Sequence, residues 1–264
     1  MGRIDARFAE LRNRGERALV PFITAGDPDL ATTQALLPAI AEAGADLIEI
    51  GVPFSDPLGD GPTIQRANER ALQSGTSLRR TLELIKNLRP QLDVPLVLMG
   101  YANVFLTMGE RNFAAAAREV GVDGIITVDL PPEEGRPLFD ALEDSGVDPI
   151  LLASPTTGET RLAQLADRTR GFLYYVSLTG VTGARAQVAA DLEEAVAGIR
   201  RISKVPLCVG FGISTPEQAE QVGRYADGVV VGSALVDRIE TAQSTESAVS
   251  EATRFIADLK RPLR

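Results

Sequence analysis

The hydrophobic and polar positions of this chain of 264 residues follow a repeating two-part pattern. Short apolar runs bounded by turn residues recur near 18–24, 46–51, 95–101, 122–128, 148–153, 171–176, 205–210 and 227–232, which makes eight candidate strands. Between them lie stretches with apolar residues at helical spacing, among them 30–43, 77–88, 112–120, 132–144, 191–202 and 217–225. An amphipathic stretch precedes the first run. This alternation calls for a parallel sheet covered by helices, the α/β class. Eight such units in about 250 residues predict a single (β/α)8 TIM barrel with an extra N-terminal helix, one domain over 1–264. An open doubly wound sheet fits less well, because the first run leads into Ala25-Gly26-Asp27-Pro28, a turn and helix start rather than a dinucleotide loop. Pro38 lies inside the first long helical stretch, where its missing N–H predicts a kink or a boundary.

Composition narrows the chemistry. The hydrophobic and charged fractions, 44% and 24%, are those of an ordinary soluble globular protein. No stretch approaches the roughly 20 apolar residues of a membrane span, and the first residues lack a signal-peptide core, so a cytoplasmic protein with no membrane partner is expected. A net charge of −9 without a basic aromatic patch argues against nucleic acid. The single Cys208 permits neither an intrachain disulfide nor a thiolate cluster, and reads as a small core residue. Histidine is absent, which removes the usual neutral-pH acid/base group and the commonest metal ligand; no metal site is expected. Of the three lysines, Lys86, Lys204 and Lys260, none falls at the C-terminal end of a strand, where a barrel places its catalytic groups. Chemistry therefore falls to carboxylates and hydroxyls rather than to a Schiff base.

The stretch 49–65, EIGVPFSDPLGDGPTIQ, holds the candidates. Glu49 shares a strand face with apolar Leu47, an expensive place for a carboxyl that is neither used nor paired. Asp56 and Asp60 follow in a loop stiffened by Pro and Gly, where turn formation is the alternative reading. Two connections exceed scaffold needs: 51–62, and 177–190, which reads either as a mobile lid or as a flexible surface loop. Gly210 and Gly212 follow the seventh run, and Gly232 and Ser233 the eighth. Those two barrel loops, with the N-terminus of a short extra helix, frequently bind phosphate through backbone N–H groups; plain turn chemistry is the alternative. A phosphorylated small molecule is the implied ligand. Asp129 reads as a helix cap or turn residue. Phe22, Met99, Ile126, Tyr174 and Phe211 lie near strand ends as core, or as the wall of an aromatic pocket.

The segments PFITAGDP at 21–28, 49–65, MGYAN at 99–103, TGVTG at 179–183 and GFGIS at 210–214 resemble the α subunit of tryptophan synthase, and the match extends over essentially the whole chain. The resemblance implies retro-aldol cleavage of indole-3-glycerol phosphate to indole and glyceraldehyde 3-phosphate, in tryptophan biosynthesis. It implies that Glu49 is the acid/base handling the glycerol hydroxyl proton and protonation at indole C3, and that Asp60 hydrogen-bonds the indole N–H. It places phosphate on Gly183, Gly212, Gly232 and Ser233, and indole among Phe22, Ile64, Met99, Tyr174 and Phe211, with Thr182 closing over Asp60. Pro53, Asp56 and Leu58 would face a β subunit in an α2β2 heterotetramer, which receives the indole and alone carries pyridoxal phosphate. No cofactor is implied for this chain. Rival readings are a free-standing lyase that releases indole, a non-catalytic activator of a β subunit, and a phosphosugar isomerase on the same scaffold.

Overall fold

The computed structural model describes residues 2–177, 185–210 and 212–264, with backbone alone over 185–191. Its strands are β1 (Ala18–Thr24), β2 (Ile48–Gly51), β3 (Leu96–Gly100), β4 (Gly124–Thr127), β5 (Asp148–Ile150), β6 (Leu152–Ala153), β7 (Leu173–Val176), β8 (Leu207–Gly210) and β9 (Gly228–Val231). The helices are α1 (Arg3–Arg14), α2 (Leu30–Glu42), α3 (Pro62–Gln73), α4 (Leu78–Leu88), α5 (Ala102–Leu106), α6 (Glu110–Val120), α7 (Arg136–Ser145), α8 (Glu159–Arg168), α9 (Arg185–Ile202), α10 (Pro216–Gly223), α11 (Ser233–Thr241) and α12 (Thr245–Lys260).

The sheet runs β5-β4-β3-β2-β1-β9-β8-β7-β6, and its registered pairs are parallel. Its two ends, β5 and β6, are halves of the fifth apolar run, parted at Leu151. There the N–H is taken by the Thr169 hydroxyl at 3.1 Å, while the carbonyl still accepts from Tyr174 N–H at 3.0 Å. Chain continuity through Leu151 thus joins the ends of the sheet, and the eight predicted staves form a nearly closed TIM barrel.

Alternation along the strands sends Val20, Leu47, Val97, Ile126, Ile150, Phe172, Tyr174, Cys208 and Val230 into one buried interior cluster. Ile4, Phe8 and Leu11 of α1 join it, Phe8 lying 6.0 Å from the Phe172 ring centroid, so the N-terminal helix floors the barrel. The opposite strand face packs Leu19, Ile23, Ile48, Ile50, Leu96 and Leu98 beneath the outer helices.

Helix starts follow local chemistry. Asp29 accepts from Thr32 N–H at 2.7 Å to cap α2, and Ser77, Thr215 and Ser244 cap α4, α10 and α12 in the same way. Two expectations need correction, and at Pro38 one alternative falls away: the proline is no boundary, because α2 continues to Glu42 and the missing N–H faces the exposed Gln34 turn, leaving no buried carbonyl stranded. α7 begins at Arg136 rather than 132, because Gly135 N–H closes a turn onto Pro131 O at 2.8 Å. α9 begins at Arg185 rather than 191, so the distal part of the expected lid is helical; 178–184 lies outside the described residues.

A repeated device fixes the strand bases. Asp46, Asp123 and Asp227 each precede a strand, and each carboxylate accepts an N–H from the first or second residue of the adjacent one: Leu19 at 2.8 Å, Leu96 at 2.9 Å and Leu207 at 2.9 Å. Asp46 also receives Lys260 Nζ at 2.9 Å, and that ammonium, only 4% exposed, donates to Arg17 O at 3.0 Å. Removing one partner of such a buried pair strands the other. Lys260→Met should lower the unfolding free energy by about 3 kcal/mol or more, read by urea denaturation. A Lys260→Met, Asp46→Asn double variant should lose less than the sum of the singles.

Candidate active site

β1, β2 and β3 bring their C-terminal ends to one side of the barrel mouth, with Phe22 in register with Glu49 and Glu49 with Val97. Glu49 points into the barrel and is 0% exposed, and neither carboxyl oxygen has a hydrogen-bond partner. Burial alone pushes its pKa up to about 8. Leaving buried acceptors unpaired costs on the order of 1–3 kcal/mol, so this carboxyl weakens the fold. Two residues on, a Cβ at Gly51 would meet Phe22 Cζ at 2.5 Å: glycine is needed here because the Phe22 ring occupies that space.

The ring borders a narrow cleft lined by Phe22, Gly51, Asp60, Ile64, Met99 and Tyr101, among others. Four of the residues expected at the site therefore meet in one hollow, which also takes in Gly51, two residues beyond Glu49; Glu49 and Tyr174 do not line it. Asp60 is half-buried at its rim. Burial pushes its pKa up to about 6, against the downward pull of hydrogen bonds from Asn68 and Tyr101. Tyr174 is buried on β7 inside the barrel, where burial and then the Glu49 charge push its phenol well upward.

Sequence reasoning missed the residue that seats the loop. Asn68 lies on the buried face of α3 between Ala67 and Ala71, a polar side chain among small apolar ones, which was the available signal. Its Oδ1 accepts from Phe54 N–H at 3.1 Å, and its Nδ2 donates to Ile64 O at 2.9 Å and, more weakly, to Asp60 Oδ2 at 3.4 Å. Tyr101 completes the seat: its hydroxyl accepts from Gly59 N–H at 2.8 Å, and its ring packs 5.1 Å from that of Phe54. Asp129 is a cap, as read, but for the neighbouring stave's helix: its Oδ1 accepts from Ala102 N–H, the first residue of α5, at 2.8 Å.

Across the mouth, Gly212 follows β8 with φ +57°, and a Cβ there would meet nothing within 4 Å. Gly232 is the N-cap of α11 with no side-chain cap, and Ser233, its first residue, is exposed. The leading N–H groups of α11, carrying the positive end of its dipole, are thus free to meet an anion. Phe22, Ala67 of α3 and Val236 of α11 form a small buried cluster with Ile64 and Met99 against it, which seats the two helices side by side. Thr182, Gly183 and Phe211 lie outside the described residues. In the outer loop Pro53 is buried, Asp56 is exposed, and Leu58 is 91% exposed, the most exposed large apolar side chain among the described residues.

Among the described residues no group of three or more Cys, Asp or Glu side chains is placed to hold a metal ion, and no helix is long and apolar enough to cross a membrane. The lysines lie away from the mouth: Lys86 on α4, Lys204 before β8, and Lys260 at the barrel base.

The family model described as tryptophan synthase alpha chain matches residues 8–263. The tryptophan synthase alpha chain of Citrifermentans bemidjiense is 54% identical over 261 residues, 99% of this chain and 97% of the relative. That of Geobacter sulfurreducens is 52% identical over 263 residues, 100% and 99% of the two chains. Among solved structures, tryptophan synthase subunit alpha from Legionella pneumophila superposes with a TM-score of 0.92 at 38% identity, covering 100% of this chain and 98% of that one. A chain of an aminoacrylate-bound tryptophan synthase from Mycobacterium tuberculosis superposes with a TM-score of 0.90 at 33% identity, covering 100% and 98%.

Proposed function

We propose the residue roles of this site from one premise: the chain belongs to the tryptophan synthase alpha chain family, and is a lyase that cleaves indole-3-glycerol phosphate in tryptophan biosynthesis. The observation that carries the roles is the fully buried, unpartnered Glu49 carboxyl on β2, the strand whose last residue, Gly51, lines the cleft that holds Asp60. With a pKa of about 8, Glu49 begins neutral at pH 7. It gives its proton to indole C3, and the resulting carboxylate takes the proton of the hydroxyl on the attached carbon. The bond between C3 and that carbon breaks, its electron pair returns to the ring, and the carbinol carbon leaves as the aldehyde of glyceraldehyde 3-phosphate. Glu49 ends as it began, and no electrons are gained or lost.

Asp60, ionised above about pH 6, accepts the indole N–H and offsets the positive charge the ring acquires when C3 is protonated. Asn68 and Tyr101 keep it aimed. Phe22, Ile64 and Met99 supply the apolar wall, and the phosphate rests on Gly212, Gly232 and Ser233 at the mouth of α11; the resemblance adds Tyr174, buried on β7, to the indole end. The resemblance adds Phe211, Gly183 and Thr182. No cofactor is assigned to this chain.

Asp56 and Leu58 form the turn that docks on a β subunit, with Pro53 seating it from beneath; the exposure of Leu58 supports this. The indole would pass to that subunit, which would hold pyridoxal phosphate, in an α2β2 assembly. The test is product analysis with purified chain and indole-3-glycerol phosphate, alone and mixed with a β subunit. Indole and glyceraldehyde 3-phosphate should appear in equal amounts, faster in the mixture, and the two chains should co-purify. An isomerised phosphosugar in their place would refute the residue roles; equal rates without co-purification would refute the docking turn.

A further inference from the structure

The Arg70 side chain is not needed by the chemistry above, yet it sits where three elements of the mouth meet. Its Nε and Nη2 donate to the two oxygens of Asp27 at 2.7 and 3.0 Å, in the turn between β1 and α2. Its Nη1 donates to Glu240 Oε1 on α11 at 2.8 Å. Asp27 is only 3% exposed, so this is a planar two-point contact shielded from water rather than a surface pair. The same turn is pinned to the far end of α3: Ser74 Oγ donates to Gly26 O at 3.2 Å, and the Thr76 side chain fills the space a Cβ at Gly26 would need. Arg66, one turn earlier, also bonds Glu240, at 2.8 and 2.9 Å, but from an exposed position where a pair contributes little.

These contacts bind together the two helices that carry the two halves of the site. α3 presents Ile64 and, through Asn68, positions Asp60 and the Phe54 backbone; α11 begins at Gly232 and Ser233. Beneath Arg70 the helices touch through small and apolar side chains, Ala67 and Val236, with Phe22 between them. Such a surface permits sliding, whereas a planar guanidinium held along two of its edges does not.

We propose that Arg70 is the joint that makes the phosphate end and the indole end of this site one cooperative unit, so that occupancy of either end raises affinity at the other. Arg70 is a positioning residue. The inference rests on the assignment of phosphate to α11 and of indole to the cleft.

The experiment is a pair of titrations of the full chain, glycerol 3-phosphate and indole each measured alone and in the presence of the other. In the wild-type chain each probe should tighten the other about fivefold or more. In Arg70→Met the single affinities should change modestly while the coupling falls to about one, and Arg70→Lys, with a single-point contact, should keep part of it. Glu240→Gln, which alters only the α11 half, should also lose coupling, and serves if Arg70→Met does not fold. A purely structural role would weaken both single affinities and leave their ratio intact; that result overturns the joint. Independent binding in the wild-type chain overturns it too, while leaving the site assignment in place. Failure of glycerol 3-phosphate to bind, or binding insensitive to Ser233→Asp, overturns the assignment and the joint together.

Discussion

Replacing Glu49 by Gln should reduce cleavage of indole-3-glycerol phosphate by about 1,000-fold or more while leaving substrate affinity within a few-fold of wild type, since positioned acid/base groups contribute roughly 10²–10⁴. Gln preserves volume and neutrality but can neither donate a proton to C3 nor accept one from the hydroxyl. Single-turnover kinetics with equilibrium binding of substrate would separate the two quantities. Equal turnover by the variant and the wild type would sink the mechanism. The same substitution should change how stability responds to pH. Glu49 has a folded-state pKa of about 8, above its ordinary value of 4.5. Between those pH values the folded chain binds more protons than the unfolded chain, so stability falls as pH rises from about 4.5 to about 8. The scale is about 1.4 kcal/mol for each tenfold change in proton affinity. Glu49→Gln should remove this component, leaving a variant that unfolds less readily than wild type at pH 9. Urea midpoints at pH 5 and pH 9 would check it.

Asp60→Asn should slow turnover by a smaller factor, about 10–100-fold, because an amide oxygen still accepts the indole N–H but supplies no charge against the protonated ring. In the wild-type chain kcat/KM should rise with pH through about 6, where Asp60 ionises, and fall through about 8, where Glu49 loses the proton it must donate. The Asn variant should lose the acid limb alone. A limb near pH 6 that survives in Asp60→Asn would show that another group, not this carboxylate, sets it.

The barrel was legible because its strands are short apolar runs buried on both faces, and such runs separate cleanly from the helical spacing between them. Glu49 was legible for the same reason, as one ionisable residue in an otherwise apolar strand. The features that escaped depend on partners distant in sequence. Leu151 interrupts the fifth stave because a hydroxyl 18 residues later takes its N–H. Pro38 is tolerated inside α2 because the turn it disturbs is exposed, which periodicity cannot reveal. Asn68 shows only as a polar residue between small apolar ones and Arg70 as an ordinary surface position, and their work is set by Asp60, Phe54, Asp27 and Glu240, which the fold alone brings near. Local pattern specifies which elements form; polar side chains joining the elements leave almost no mark in it.

The lysine at the barrel base bears on the order in which the chain can complete itself during synthesis. Lys260 reaches the Arg17 carbonyl across a separation of 243 residues, and Arg17 N–H bonds Leu263 O at 2.8 Å. The first helix meanwhile rests on Phe172 and Val230, which are made long after it. A ribosome therefore releases α1 with its apolar face uncovered, and that face cannot be fully covered until the last strands emerge. Closure of the floor and stitching of α12 beside it become late, nearly simultaneous events. A chain stalled before β9 should consequently recruit chaperones through α1, at the end opposite to the missing residues.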